Sequence, residues 1–309
     1  MIPCAISLSA DWSWGSINVV DVLIVGGGPA GVSAALYTAR AGIDTTIICM
    51  GIGALEKAER VDNFYGNGGI TGQALVEVGL SQASDVGVEI ITGEVVKIEQ
   101  QNIDGEWLFS VETADASVTA RALLLATGNS RAMPKIPGLI DYEGKGVSHC
   151  AVCDAFFYRG QDVAVLGSGK YALSEAKELI PLVNSLTLLT NGNELEALLP
   201  AGITVRKEKI REAIGEARLT GIVLEPDGEI LPVSGLFLAL GIAGATDLAY
   251  KLGAFTENNA IIVDKNMRTS VPGLWAAGDC TGGMKQIAKA VYQGAEAGTD
   301  MVRFLRGDN

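Results

Sequence analysis

Basic residues are scarce in this chain of 309 residues: 23 Lys and Arg stand against 36 Asp and Glu, a formal charge of −13. Such a balance makes nucleic acid and anionic membranes poor partners. No apolar run approaches the roughly 20 residues needed to cross a bilayer. The opening MIPCAISLSADWSWGSINVV lacks a basic start and carries Asp11, so it does not read as a signal peptide. The expected location is the cytoplasm. Trp12 and Trp14 in that segment are expected to pack on something the sequence does not specify. Cysteine is sparse and odd in number, five in all, which does not suit a secreted disulfide framework. Histidine occurs once, at position 149. Aromatics make up only 6% of the chain, whereas glycine occurs 39 times, as expected of an α/β protein with many tight strand-to-helix turns. With 48% hydrophobic residues the chain can bury substantial cores, and its length suits two of them.

Residues 21–25, DVLIV, read as a buried parallel strand. Gly26-x-Gly28-x-x-Gly31 follows, then a helix over Ala30–Arg40 and a second strand over Thr45–Cys49. In this strand–turn–helix setting the glycines point to a dinucleotide site. The first makes the turn, the second lets backbone approach a pyrophosphate, and the third allows close helix–strand packing. No acidic residue closes the second strand, Ile47-Ile48-Cys49-Met50, to meet a ribose hydroxyl. Val88–Ile98 and Trp107–Thr113 are expected to form a small antiparallel insertion, and Arg121–Leu125 a strand ending in Ala126-Thr127-Gly128.

The pattern then repeats about 140 residues on, with strand Asp162–Leu166, turn Gly167-x-Gly169-x-x-Ala172, helix Tyr171–Ile180 and strand Ser185–Leu189. Between the two units, residues 131–146 are rich in Pro and Gly and read as a linker. Leu274–Ala277 is a further strand-like segment, followed by Gly-Asp-Cys and an amphipathic helix to about Arg306. The fold class is therefore α/β with two Rossmann-like dinucleotide-binding units. The second turn has no Arg after its next strand for a 2′-phosphate; Leu189-Thr190-Asn191-Gly192-Asn193 stands there instead. This unit reads as a retained fold without its nucleotide.

Cys150-Ala151-Val152-Cys153-Asp154 is the one CxxC. A four-ligand zinc site would need distant ligands, because there is no second CxxC and the only His adjoins Cys150. A structural disulfide is disfavoured in a reducing compartment. A redox-active dithiol fits better, with Asp154 placed as proton donor or acceptor. No metal is expected. Cys4, Cys49 and Cys280 stand alone and read as small apolar residues.

In order along the chain, VGGGPAG (25–31), VDNFYG (61–66), ITGQAL (70–75), ATG (126–128), CAVCD (150–154), GSGKYA (167–172), TSVPGLWAAGDC (269–280) and KQ (285–286) resemble the low-molecular-weight thioredoxin reductases. The resemblance runs from about Asp21 to the final helix. It implies two Rossmann-like domains of the three-layer ββα kind: a discontinuous FAD domain, 1–132 and 243–309, and an inserted module, 133–242, carrying the CxxC. It places Gly26, Gly28, Pro29, Ala30, Gly31, Asn63, Ala126, Thr127, Gly128, Gly278, Asp279, Lys285, Gln286 and Ile287 around FAD. It makes Cys153 the cysteine nearest the flavin and Cys150 the one that attacks a partner disulfide. It further implies a rotation of the two domains, a thioredoxin-like protein substrate and a homodimer.

The chain departs from that pattern in one place. Members that use NADPH carry His-Arg-Arg after the second unit's next strand and another Arg four residues on. Thr190-Asn191-Gly192 and Glu196 occupy those positions here. Each lost charge-assisted hydrogen bond is worth about 1.5–3 kcal/mol, so NADPH is not expected to serve. The chain is similar in this to two nicotinamide-independent branches, the ferredoxin-dependent flavin thioredoxin reductases and the diflavin-linked disulfide oxidoreductases. Ferredoxin is the preferred donor, because a flavin can mediate between one-electron donors and disulfide chemistry; a second FAD stays open. Arg206-Lys207-Glu208-Lys209-Ile210-Arg211 is the densest basic run and the candidate donor contact, against a reading as a solvated edge. Two other readings remain at this level: an ordinary NADPH-dependent thioredoxin reductase, and a flavin-bound redox sensor without turnover.

Overall fold

The computed structural model describes residues 19–103, 105–113, 115–128, 134–195, 199–240 and 244–308. Strand β1 (Val19–Val25), helix α1 (Pro29–Arg40) and strand β2 (Thr45–Cys49) form the first unit, followed by α2 (Gly72–Asp85), β3 (Glu89–Thr92), β4 (Val95–Ile103), β5 (Glu106–Thr113) and β6 (Ser117–Leu125). Their sheet runs in the order β3-β2-β1-β6-β5-β4. The strands from β3 to β6 are parallel, whereas β6, β5 and β4 form an antiparallel meander. The expected antiparallel insertion over 88–98 is therefore split. Glu89–Thr92 extends the parallel sheet beside β2, and only the residues from Val95 onward belong to the meander. Gly93 makes the break, its N–H donating to the Cys49 carbonyl at the end of β2.

The second unit contains β7 (Val147–Ser148), α3 (Ala151–Asp154), β8 (Asp162–Leu166), α4 (Lys170–Leu179), β9 (Ser185–Leu189) and β10 (Ile203–Arg206). A small antiparallel sheet of β11 (Ile210–Gly215), β12 (Leu219–Leu224) and β13 (Ile230–Pro232) precedes β14 (Gly235–Leu238). The main sheet here is parallel throughout, in the order β10-β9-β8-β14-β7. From Pro134 onward the stretch expected as a linker packs on the small sheet. Ala213 N–H donates to the Pro137 carbonyl, and the Tyr142 hydroxyl donates to the Gly215 carbonyl at 2.7 Å.

The chain then returns through α5 (Ala245–Lys251), the short strands β15 (Thr256–Glu257) and β16 (Ala260–Ile261), β17 (Leu274–Ala276) and α6 (Ile287–Arg306). Strand β17 pairs in parallel with the C-terminal half of β6, so the first sheet takes strands from both sides of the second unit. Helix α6 lies on α1. A Cβ on Gly294 or Gly298 would stand 2.1 Å or 2.6 Å from the Ala30 or Ala34 carbonyl oxygen, which explains the small residues along this face. Asp300, buried on α6, accepts from Trp275 Nε1 at 2.9 Å and from Arg268 at 2.5 and 3.0 Å, tying α6 to the sheet. One contiguous apolar cluster runs through both units, with Tyr171 and Leu173 of α4 in it beside Ile98, Leu248 and Ala254. Among the described residues no helix is long and apolar enough to cross a membrane.

Candidate active site

The ends of β1, β2 and β6, with the starts of α1 and α6, enclose a cleft of about 1270 Å³, part of it open to solvent. Gly26 turns the chain out of β1 with φ +119°, and a Cβ there would stand 2.4 Å from the Ala126 carbonyl oxygen. Nothing stands within 4 Å of the place a Gly28 Cβ would take, so backbone is bared to the cleft there. A Gly31 Cβ would meet the Gly26 carbonyl oxygen at 1.9 Å, so this position governs packing instead. Helix α1 starts at Pro29 with no side-chain cap and no acidic residue in its first turn. Its first N–H groups and positive dipole end are therefore free to receive an anion such as a pyrophosphate. Helix α6 also starts at the cleft without a side-chain cap.

Of the residues singled out in the sequence, Gly26, Gly28, Pro29, Ala30, Ala126, Thr127, Gly128, Gly278, Asp279, Lys285, Gln286 and Ile287 all line this cleft. Asn63 stands at its edge, its Nδ2 donating to Gln286 Oε1 at 2.9 Å. Thr127 Oγ1 is buried and has no hydrogen-bond partner. An orphaned hydroxyl, bare glycine backbone and two uncapped helix N-termini facing one cleft fit a dinucleotide such as FAD. Two supporting residues were not foreseen. Lys289 Nζ donates to the Gly278 and Gly282 carbonyls at 2.7 and 2.5 Å, and Gln293 Oε1 accepts from Gly278 N–H at 3.0 Å. Burial holds the Lys289 amine below its ordinary value, opposed by Asp279. The spacing of Gln286, Lys289 and Gln293 on one face of α6 is the sequence signal that could have revealed them.

Cys150 and Cys153 form a disulfide, with sulfurs 2.04 Å apart and Cα atoms 5.4 Å apart. Cys150 is buried, and Cys153 is half-buried with its N–H donating to Cys150 Sγ at 3.2 Å. Asp154 connects to the pair through Ser148, another residue missed in the sequence. Cys150 N–H donates to Ser148 Oγ at 3.1 Å, and the Ser148 hydroxyl donates to Asp154 Oδ2 at 2.6 Å. Neither cysteine lines the glycine cleft. Cys153 instead faces a second cavity walled by Tyr250, Lys251, Ala254, Phe255 and Ile262. Helix α5 connects the two places, since its Leu248 lines the cleft and its Lys251, one turn on, lines the cavity. Among the described residues no group of three or more His, Cys, Asp or Glu could hold a metal.

At the second glycine turn, Gly167 packs against the Ala239 carbonyl, and α4 starts at Gly169 without a side-chain cap. The loop after β9 is tied up by its own bonds. Asn191 Oδ1 accepts from Ile210 N–H at 2.7 Å, and Asn193 Nδ2 donates to the Thr190 carbonyl at 2.9 Å. Thr190 Oγ1 is buried without a partner. Glu196 lies outside the described residues, as do Trp12 and Trp14. The basic run 206–211 is compensated: Arg206 meets Glu229 and Glu208, Lys207 meets Glu194, and Arg211 meets Glu212. Arg206 is held above its ordinary value by Glu229 and then Glu208, and both carboxyls are lowered by Arg206. As a donor patch the run is thus nearly neutral, and its solvated-edge reading is the better one.

Residues 20–294 match the family described as pyridine nucleotide-disulphide oxidoreductase. A thioredoxin reductase of Listeria innocua is 32% identical over 305 residues, covering 93% of this chain and 94% of that protein. The crystal structure of the atypical thioredoxin reductase TRi from Desulfovibrio vulgaris Hildenborough is 38% identical, with a TM-score of 0.86 over 94% of this chain and 99% of that one. A ferredoxin-flavin thioredoxin reductase from Clostridium acetobutylicum is 28% identical, with a TM-score of 0.69 over 94% of this chain and 100% of that one.

Proposed function

The chain belongs to the pyridine nucleotide-disulphide oxidoreductase family as a thioredoxin reductase-like flavin disulfide oxidoreductase, and on that premise we propose a route for its electrons. They pass from FAD to the Cys150–Cys153 disulfide and on to a thioredoxin-like protein, without NADPH. The carrying observation is the loop after β9. The loop itself carries no Lys or Arg where a 2′-phosphate would need several, and its Asn191 is committed to Ile210. Of the neighbouring cations, Lys207 is paired with Glu194 and Arg206 with Glu208 and Glu229, while Lys209 packs beside Gly192. The donor in this reading is a reduced ferredoxin, as the similarity to a ferredoxin-flavin thioredoxin reductase supports. The enzyme works in the cytoplasm as a homodimer, with 133–242 as a module inserted into an FAD domain of 1–132 and 243–309.

Bound FAD would supply the electron pair. Gly26, Gly28 and the start of α1 would hold its pyrophosphate, and Thr127, Asn63, Asp279 and Gln286 would hold the rest. Reduction breaks the Cys150–Cys153 bond and adds two electrons and two protons, giving two thiols. Asp154 and Ser148 hold and move one of those protons beside Cys150. The Cys153 N–H favours a thiolate on Cys150, which attacks one sulfur of the partner disulfide. The partner's other sulfur leaves and takes a proton. Cys153, deprotonated, then attacks Cys150 Sγ, re-forms the disulfide and releases the second partner thiol. Two electrons and two protons have moved to the partner.

Two observations favour a second reading, in which the second unit binds a nucleotide of its own. The Gly167–Lys170 turn keeps its helix start, and the buried Thr190 hydroxyl lacks a partner. NADPH and a second FAD are the candidates. An anaerobic titration separates these readings. The flavin band is expected to persist with NADPH and to bleach with reduced ferredoxin. Prompt bleaching by NADPH would overturn the reading drawn from the loop, and two FAD per chain in the purified protein would identify the second occupant.

A further inference from the structure

Glu175, on α4, is 1% exposed, yet it is a carboxylate that the scheme above does not use. Its Oε2 accepts the N–H of Ala151 at 2.7 Å, the residue that follows Cys150 and begins α3. Its Oε1 meets the Lys251 ammonium at the end of α5, and the two side chains are 2% and 5% exposed. Lys251 Nζ also stands 5.1 Å from the centre of the Tyr171 ring. Glu175 and Tyr171 belong to the second unit, whereas Lys251 belongs to the segment that returns to the first. Lys251 further lines the cavity that Cys153 faces. The same boundary holds a looser contact, Lys97 to Glu178 at 3.7 Å, and a hydrogen bond from Ser174 Oγ to the Val96 carbonyl.

A buried ion pair contributes little net stability, because desolvation offsets attraction, but a buried charge without its partner is strongly unfavourable. A pair shared by two bodies therefore discriminates between their relative positions. In register both charges are matched. When the bodies part, both meet water. In a misaligned closed state one or both stay buried and alone. Cys150 is 3% exposed, so a protein disulfide reaches it only after the CxxC is uncovered, and the CxxC shares its cavity with α5 through Cys153.

We propose that Glu175 and Lys251 are a positioning pair, a latch that sets the CxxC against α5 in one register and parts whole when the module turns outward. Glu175 orients the CxxC through the Ala151 amide, and Lys251 holds Glu175 to the flavin-side unit. The inference rests on the reading that the acceptor is a protein disulfide.

The FAD-loaded protein is reduced with dithiothreitol and exposed to a maleimide, and labelling of Cys150 and Cys153 is followed by mass spectrometry. Lys251→Met and Glu175→Gln each leave one buried charge unmatched when closed, so labelling is expected to speed up about ten-fold or more. The double variant removes both charges and keeps an amide oxygen for Ala151, and it should return to within about three-fold of the native rate. Lys251→Arg, which keeps the cation, should stay near native. Unchanged single variants, or a double variant as fast as the product of the two, would overturn the latch. If Lys251→Met does not fold, Lys251→Gln compared with Lys251→Arg carries the same test. No donor and no thioredoxin take part, so failure of the proposed electron route leaves the labelling result readable.

Discussion

Replacing Thr127 with Val should move stability and cofactor affinity in opposite directions. The Thr127 hydroxyl is buried beside the glycine cleft and has no partner within the protein. Without a cofactor such an atom has lost its water and gained nothing, a penalty of about 1–3 kcal/mol. Valine keeps the branched shape and removes the hydroxyl, so the apoprotein should melt higher, by roughly 2–4 °C for each kcal/mol. If FAD hydrogen-bonds to this hydroxyl, the variant loses about 0.5–1.5 kcal/mol of binding, which is roughly a two- to thirteen-fold weaker Kd. Thr127→Ser keeps the hydroxyl and should bind FAD nearly as the native protein does. Quenching of FAD fluorescence gives the Kd, and calorimetry of apoprotein gives Tm. A higher apo Tm with unchanged FAD affinity would refute the reasoning, because the hydroxyl would then be an unsatisfied atom with no ligand to satisfy it.

Cys153→Ser should keep FAD bound with a normal visible band and abolish electron transfer to a protein disulfide; persistent turnover would remove Cys153 from the route. Cys280 is fully buried, and burial pushes its thiol from 9.0 up to about 12. The folded state therefore retains a proton that the unfolded chain releases above pH 9.0. Stability from this group is fully present below pH 9.0 and falls by about 1.4 kcal/mol per pH unit as pH rises toward 12. Urea unfolding of the native protein and Cys280→Ala should diverge only in that window, and parallel profiles would contradict the assignment.

The strongly periodic and glycine-marked parts of this fold were legible in the sequence because local chemistry dictates them. β1, the Gly26 turn and α1 follow from an apolar run, a backbone that must avoid the Ala126 carbonyl, and a Pro at the helix start. The cleft residues were legible for the same reason, together with their family motif. The split at Gly93 was not, because Val88–Ile98 has strand-forming residues on both sides of Gly93 and only pairing with β2 reveals that the two sides join different partners. The basic run 206–211 already reads more readily as a solvated edge than as a donor contact, but the reason is not local. Its compensating carboxylates Glu194 and Glu229 are distant in sequence, and only the strand pairing brings them alongside. Ser148, Glu175 and Lys251 carry no motif. Each matters through a partner that the folded chain supplies.

The first sheet is completed by β17, a strand that follows the entire second unit in the chain. During synthesis on the ribosome, β1 to β6 must therefore wait, with the C-terminal half of β6 unpaired on the side away from β1, while more than a hundred further residues emerge. The second unit is continuous and can close its own sheet in that interval. Gly278, Asp279, Gln286 and Ile287 arrive with or after β17, so the cleft has no far wall until then. Capture of the flavin is thereby ordered after the CxxC-bearing unit has formed, and a nascent chain stalled before β17 would expose the dithiol without the group that charges it.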